Sequence, residues 1–232
     1  MEDGLSDALA TDATQLTLAF LGGTGDQGRG LARRFAMAGH AVILGSRQAE
    51  RAAAAADELR ATVADPSLID GTTNDAAAAA ADVVVVAVPW EGHEQLIRGL
   101  APALSGKIVI DCVNPIGFDK QGAYALAVAE GSAAQQAAAL LPDSTIIAAF
   151  HHVSAALLLD PDVGSIDTDV LVLGEERAAT DLVQALVDRI AGMRGIYGGR
   201  LRNAGQVEAL TANLVSVNRR YKAHAGLRVT DV

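Results

Sequence analysis

The sequence predicts an α/β protein, a doubly wound parallel sheet followed by a small C-terminal α+β domain. Three observations carry this. Apolar runs of strand length alternate with amphipathic or alanine-rich helical stretches, the pattern of consecutive βαβ units. The run Val83-Val84-Val85-Val86-Ala87-Val88 is uninterrupted, which implies a strand buried on both faces. A glycine-rich turn sits where the first strand meets the first helix.

Leu16 to Leu21 reads as that first strand, and Gly22-Gly23-Thr24-Gly25-Asp26-Gln27-Gly28 follows it. Gly23, Gly25 and Gly28 form GxGxxG. An amphipathic helix comes next, with Leu31 and Phe35 on one face, Arg29, Arg33 and Arg34 largely off it, and Gly39 at its left-handed end. Ala41 to Leu44 is a second buried strand. Strand, glycine turn, helix, strand is the Rossmann-type context that makes GxGxxG a dinucleotide fingerprint. Gly23 is expected to allow the tight turn, Gly25 the close approach of a pyrophosphate, and Gly28 close packing of helix on strand. The helix N-terminus favours the pyrophosphate.

The second strand ends in Gly45-Ser46-Arg47, with Arg51 one helical turn on. A site for NAD normally carries a carboxylate here to hold the ribose 2′-hydroxyl, and none occupies the tip. Ser46, Arg47 and Arg51 supply donors and positive charge suited to a 2′-phosphate. The expected nucleotide is therefore NADP(H).

An alanine-rich helix is expected from about Ala49 to Ala61, then a short third strand over Leu68 to Thr73. Asn74 or Asp75 caps a helix over Ala76 to Ala81. Beyond the valine strand, Val88-Pro89-Trp90 falls at a carboxyl strand end, where ligands of open α/β sheets bind. Trp90, the single tryptophan, either walls the redox site or packs in a core or interface. His93 reads as a surface or capping residue. The helix that carries His93 is completed over Leu96 to Leu104 and leads to a fifth strand at Lys107 to Asp111 and a loop Cys112-Val113-Asn114-Pro115-Ile116, again a carboxyl-end candidate for touching cofactor. Asn114 either hydrogen-bonds a carboxamide or serves an Asn-Pro turn. Gln121 to Leu141 reads as mostly helical, and Ser144 to Phe150 as a sixth strand ending at His151-His152-Val153-Ser154. Adjacent histidines on extended chain point apart and chelate poorly, so no metal is expected. One of the two can line a cofactor pocket. From Pro161 come a strand at Asp169 to Gly174, a helix at Glu176 to Ile190, a strand at Arg194 to Tyr197 and a final helix from Asn203 to about Tyr221. The domain reading is a leader over 1–14 without order, a nucleotide-binding domain over 15–158, and a small domain over 159–232 that closes the cofactor cleft.

Bulk properties narrow the class. The 232 residues carry a net charge of −10, which argues against nucleic acid as a partner. The single cysteine, Cys112, fits a reducing compartment and reads as a small packed hydrophobe. No apolar run is long enough to span a membrane, and the first residues lack the basic start of a secretory signal. The expectation is a cytoplasmic enzyme of small-molecule cofactors.

The strings Leu21-Gly22-Gly23-Thr24-Gly25-x-x-Gly28, Gly45-Ser46-Arg47, Val88-Pro89-Trp90 and Ala149-Phe150-His151 resemble the coenzyme F420-dependent NADP oxidoreductase family. The resemblance runs from Leu16 onward and loosens after Pro161. It implies reversible hydride transfer between NADP(H) and the deazaflavin coenzyme F420, without a metal, in a homodimer. By likeness Gly23 to Gly28 cradle the nucleotide, with Asp26 and Gln27 in the turn. Thr24, Ser46, Arg47 and Arg51 hold the 2′-phosphate, where the family can carry Lys for Arg51. Val88, Pro89, Trp90, Val113, Asn114 and Pro115 lie near the nicotinamide, and His151, Val153, Ser154 and Ala155 border the deazaflavin. His152-Val153-Ser154 departs from a Thr-Ile-Pro-like stretch. Arg194, Arg200, Arg202, Arg219 and Arg220 are candidates for the coenzyme's anionic tail. The sequence carries no catalytic triad or acid–base dyad, in keeping with chemistry done by positioning. Two alternatives stand beside this reading: another NADPH-dependent reductase with an imine, carbonyl or ferric-chelate acceptor, and an NADP-sensing protein without turnover.

Overall fold

A computed structural model describes residues 16–232, so the expected leader lies outside the described residues. Among the described residues ten strands and eight α-helices follow one another. They begin with β1 (Thr17–Leu21), α1 (Asp26–Met37), β2 (Ala41–Ser46), α2 (Ala49–Arg60), β3 (Ile69–Thr73), α3 (Asn74–Ala80), β4 (Val83–Val86), α4 (Trp90–Leu104) and β5 (Ile108–Asp111). They continue with β6 (Ile116–Asp119), β7 (Gly122–Ala125), α5 (Ala133–Leu140), β8 (Thr145–Ala148), α6 (Ala155–Leu159), β9 (Thr168–Gly174), α7 (Arg177–Asp188), β10 (Met193–Gly199) and α8 (Ala204–Tyr221).

Eight strands form one sheet in the order β10-β9-β8-β5-β4-β1-β2-β3. From β3 to β8 every neighbouring pair is parallel, which is the Rossmann order with its reversal point between β1 and β4. Each central strand sends alternate residues to opposite cores. Leu18, Phe20, Val83 and Val85 join one cluster with α1, α2 and α7; Ala19, Leu21, Val84 and Val86 join the other with α3, α4, α5 and α8. Both clusters are sealed from water, which explains why the valine run shows no polar alternation.

The C-terminal stretch has the expected content of strand, helix, strand and helix, but its strands extend the main sheet. β9 runs antiparallel beside β8, through Ile147 opposite Gly174 and Ala148 opposite Leu173, and β10 then lies parallel to β9. The sheet thus continues across the 158/159 boundary.

One further local reading is corrected. The stretch Gln121 to Leu141 is not mostly helical. Ile116–Asp119 and Gly122–Ala125 pair as a hairpin, and only Ala133–Leu140 is α-helix within it. Asp119 makes the turn, its Oδ1 accepting from the N–H groups of Gln121 at 2.7 Å and Gly122 at 3.2 Å, with Gly122 at φ +126°. The helix α4 begins at Trp90, directly behind Pro89, and carries His93 as expected.

Arg33 and Arg34 are not solvated. Both are buried, since α1 turns this flank toward α6. Arg34 donates to the carbonyl oxygens of Leu157, Leu158, Asp160 and Val163, and Arg33 adds a bond to Leu158 O at 3.3 Å. The guanidinium thereby satisfies the carbonyls that α6 leaves open at its C-terminal end. Gly30 lets the two elements touch, because a Cβ there would lie 2.6 Å from Leu158 Cβ. No helix among the described residues is long and apolar enough to cross a membrane.

Replacing Arg34 by Ala should lower unfolding free energy by about 2–4 kcal/mol, on the scale of two charged-donor hydrogen bonds and their orphaned carbonyls. Urea denaturation reads this. Arg34→Lys should recover only part, because one ammonium cannot reach four carbonyls in different directions.

Candidate functional site

Because both sheet faces are covered, the strand ends are where ligands can enter. At the carboxyl ends of β1, β4, β5 and β8 lies a cleft of about 290 Å³. Gly25, Asp26 and Gln27 line it from the glycine turn, Ala87, Val88 and Pro89 from beyond β4, Cys112, Val113 and Asn114 from beyond β5, and His151 from beyond β8.

The glycine turn is held from three directions. Gly23 N–H donates to Phe20 O at 3.0 Å and to Gly45 O at 2.9 Å, and Gly22 N–H donates to Asn74 Oδ1 at 3.3 Å. Asn74 is therefore no helix cap; it is buried at the start of α3 and braces the turn. The left-handed residue of the turn is Gly22, at φ +72°, and not Gly23. Gly23 and Gly28 are needed for packing: a Cβ on Gly28 would stand 2.8 Å from Gly23 Cα, and one on Gly23 would stand 2.7 Å from Phe20 O. Gly25 differs. A Cβ there would meet only Gly22 O at 3.5 Å, so its open side faces the cleft. Gly25 also occupies the N-cap position of α1 without a capping side chain, which leaves first-turn N–H groups for an anion.

At the end of β2, Ser46 is buried and Arg47 and Arg51 are exposed. Nearby arginines are already engaged, Arg29 by Asp26 and Glu58, Arg60 by Asp57 and Asp70. Ser46 Oγ accepts from Gln48 N–H at 3.3 Å, which keeps the tip of the strand turned back on itself. Thr24 is half-buried in the glycine turn.

Of the residues expected around the rings, the cleft gathers Val88, Pro89, Val113, Asn114 and His151, but not Trp90, Pro115, Val153, Ser154 or Ala155. Trp90 packs on the second core cluster, its ring 5.5 Å from that of His93. Pro115 is buried at the base of the hairpin, its carbonyl taking Leu126 N–H at 2.8 Å. Val153 belongs to the first core cluster, Ser154 Oγ lies 3.3 Å from His224 Nδ1, and Ala155 opens α6. Asn114 is spent within the protein: its Nδ2 donates to His151 O at 2.8 Å, and Thr211 Oγ1 on α8 donates to the same oxygen at 3.0 Å. The sequence reading missed Ala87 as a cleft residue, although the strand-end rule that found Pro89 and the Cys112 loop extends to it.

His151 follows Phe150, a non-glycine residue at φ +64°. That left-handed step, rare for an aromatic residue, is the kind of strain found at ligand sites. His151 is buried, and neither ring nitrogen makes a hydrogen bond of full geometry among the described residues, although the backbone of Cys112 and Val113 lies close enough to favour its protonated form slightly. Burial pushes its pKa down to about 4, so the imidazole is neutral near pH 7. His152 turns away and is held by Asp169 O at 2.7 Å. Cys112 is also buried, its thiol donating to Val86 O at 2.9 Å and pushed well above the ordinary thiol range by burial. Among the described residues no group of three or more His, Cys, Asp or Glu could hold a metal ion.

His93 is the largest departure from expectation. It is fully buried, hydrogen-bonded to Asp111 and Gln136, and neither surface nor cap. Of the distal arginines, Arg194 is held by Asp169 and Arg200 by Glu175. Arg219 and Arg220 line a second cleft of about 550 Å³ between α8 and the hairpin.

Comparison with known proteins follows from this geometry. Residues 17–115 match the family model described as NADP oxidoreductase, coenzyme F420-dependent. The F420-dependent NADP reductase of Methanothermobacter marburgensis is 39% identical over 223 residues, covering 94% of this chain and 99% of that protein. The chain belongs to this family. The namesake enzyme of Methanocaldococcus jannaschii is 34% identical over the same shares of both chains. A candidate F420-dependent NADP-reductase from Arthrobacter sp. FB24, known as a crystal structure, superposes with a TM-score of 0.76 at 25% identity, over 93% of this chain and 99% of that one. The family likeness thus extends past the nucleotide half into the C-terminal strands.

His151 ties stability to pH. Its folded pKa of about 4 lies below the unfolded value of 6.5, so the unfolded state binds the extra proton and stability falls as pH drops from 6.5 toward 4. Glu208, held up to about 7 mainly by burial, acts in the opposite sense over an overlapping range, so a difference between variants isolates His151. Between pH 7 and pH 4 the native protein should lose up to about 3 kcal/mol more than His151→Gln. Equal losses in denaturant titrations at both pH values would remove the depressed imidazole.

Proposed function

We propose that this protein is an NADP-dependent oxidoreductase catalysing reversible, direct hydride transfer between NADP(H) and coenzyme F420. When bound, the nicotinamide ring supplies or accepts a hydride at C4 and the deazaflavin does so at C5, so no metal or radical relay is required. The observation that carries the reading is the cleft itself. A glycine N-cap open to an anion, a neutral and largely apolar wall, and a buried imidazole without a hydrogen bond of full geometry meet in one space.

The chain's own residues divide the work. Gly25, with the first-turn N–H groups of α1, receives the pyrophosphate. Ser46, Arg47 and Arg51, with Thr24, hold the 2′-phosphate; two or three charged-donor bonds of about 1.5–3 kcal/mol each correspond to a preference of about 10²–10⁴ for NADP over NAD. Val88, Pro89 and Val113 form a dry wall that keeps water from the reacting carbons. Asn114 and Thr211 fix the carbonyl of His151 and so the shape of the opposite side. His151, neutral at working pH, offers one donor and one acceptor to a polar ring edge instead of a charge. Arg219 and Arg220 remain available for the coenzyme's anionic tail. In this reading residues 159–232 close the cleft, with α8 contributing Thr211. A cytoplasmic homodimer completes the proposal, and sedimentation analysis checks the dimer.

Anaerobic mixing of the protein with NADPH and oxidised F420 should bleach the deazaflavin absorbance, with NADH far slower. Binding of NADPH without bleaching would reject the acceptor and turn attention to imine, carbonyl and ferric-chelate substrates. Replacing both Arg47 and Arg51 by Ala should raise KM for NADPH about a hundredfold and leave KM for NADH within about threefold. Equal losses with both nucleotides would remove the 2′-phosphate assignment.

A further inference from the structure

Behind the cleft wall lies a buried polar pair that the hydride-transfer reading does not use. His93, on α4, has Nε2 2.6 Å from Asp111 Oδ2 and Nδ1 3.0 Å from Gln136 Oε1. Gln136 is oriented by its own amide, whose Nε2 donates to Glu130 Oε2 at 3.4 Å, so an acceptor faces Nδ1. Both imidazole nitrogens therefore face acceptors, and a neutral imidazole can donate to only one of them. The other Asp111 oxygen, Oδ1, accepts the N–H of Val113 at 2.9 Å. His93 and Asp111 have no solvent exposure at all.

We propose that His93 and Asp111 form a buried imidazolium–carboxylate pair that positions the Cys112–Asn114 wall of the nucleotide cleft through the N–H of Val113. The pair's role, not its existence, rests on the reading of that cleft as a nucleotide site. A buried ion pair of this kind adds little net stability over apolar packing. Its geometric effect is specific: one carboxylate spans from α4 to the first residues beyond β5 and sets where Val113 stands. Trp90 lies against the imidazole, ring centroids 5.5 Å apart and ring planes tilted by 31°.

The surroundings favour the charged form. Burial pulls the His93 pKa down, but the bond and charge of Asp111, then Gln136 and the charge of Glu208, lift it above the ordinary histidine range. Asp111 comes from β5, Gln136 and Glu130 from α5 and the turn before it, and Glu208 from α8, where it accepts the N–H groups of Ala133 and Ala134. Asp111 is also felt within the cleft, since its charge raises the pKa values of His151 and Cys112.

Two substitutions separate geometry from charge. Asp111→Asn keeps both contacts: its Oδ1 accepts from Val113, and its Nδ2 donates to a His93 that is now neutral. Asp111→Glu keeps the charge but displaces the oxygen that holds Val113. Trp90 is the single tryptophan of the chain, and an imidazolium against the indole ring quenches its emission. In the native protein without nucleotide, the quench should persist as pH rises well past 6.5. In D111N it should be lost by pH 7, and in D111E it should remain. NADPH affinity, measured by calorimetry, should fall about tenfold in D111E, the scale of one hydrogen bond to a charged group. D111N should keep most of the native affinity.

A native quench that relaxes at or below pH 6.5, or one unchanged in D111N, would overturn the ion pair. D111E binding NADPH as tightly as the native protein, or D111N as weak as D111E, would overturn the positioning role. Should D111E not fold, as its melting curve would reveal, Asp111→Ala, which also removes the oxygen that holds Val113, takes its place in the affinity measurement, and native affinity in that variant would overturn the positioning role. Native protein that binds NADPH but transfers no hydride to F420 would reject that acceptor and leave the pair standing.

Discussion

A sheet buried on both faces dictates where this molecule can do chemistry. Strands β1, β4, β5 and β8 send alternate side chains into two sealed cores, so neither sheet face has room for a ligand. What remains is the carboxyl edge. There the backbone leaves the sheet at Gly22, Ala87, Cys112 and Ala149, and the reversal of strand order between β1 and β4 opens a gap between the departing loops. Every feature of the cleft inherits its position from this constraint. The glycine turn must leave β1 at once, which a left-handed residue achieves, and the chain after β8 makes a similarly sharp exit at Phe150 without a glycine. Placing a strained aromatic there turns His151 back over the cleft, while His152 is directed to the carbonyl of Asp169.

Much of this was legible in the sequence because it is local. The valine run, GxGxxG in its strand–helix setting and the missing acid after β2 each sit within a few residues of one another. Where the role of a single side chain was hidden, the cause is that its partners are distant. His93 looks like an exposed helix residue until Asp111 and Gln136, 18 and 43 positions away, are brought beside it. Asn114, which the cleft does gather, has a second duty that only His151 and Thr211, 37 and 97 positions away, reveal. The hairpin over Ile116 to Ala125 was hidden for a different reason. Its alanines and the alanine-rich stretch behind it favour helix on propensity alone, and only the Asp119–Gly122 turn signals otherwise.

The arginines make the same point more sharply. Arg34 and Arg47 are the same side chain, each near the end of an element in the nucleotide-binding half. Arg34 lies under α6, where carbonyl oxygens surround it, and it becomes a structural clamp on the segment that follows His151. Arg47 stands at the strand tip facing solvent. Helical spacing could not separate the two fates, because α6 is a short helix that packs on the flank of α1 an amphipathic reading assigns to water. The clamp and the cleft are nevertheless linked. Holding Leu157, Leu158, Asp160 and Val163 fixes the chain on the far side of His151, as Asn114 and Thr211 fix its carbonyl.

The electrostatics of the wall follow from what hydride transfer requires. A hydride moves with two electrons between planar rings, and the protein contributes by holding them close and dry instead of by trading protons. Ionised side chains in direct contact would hold water and favour one redox state of a ring over the other. The wall avoids this by burial: the Cys112 thiol is held protonated, and the His151 imidazole is held neutral. Asp111, next in the chain to Cys112, is hydrogen-bonded to His93 and tied to the backbone of Val113. Polar groups are thus used twice without entering the ligand space as free charges. They satisfy one another in a core that would otherwise penalise them, and in doing so they fix the backbone that shapes the cleft.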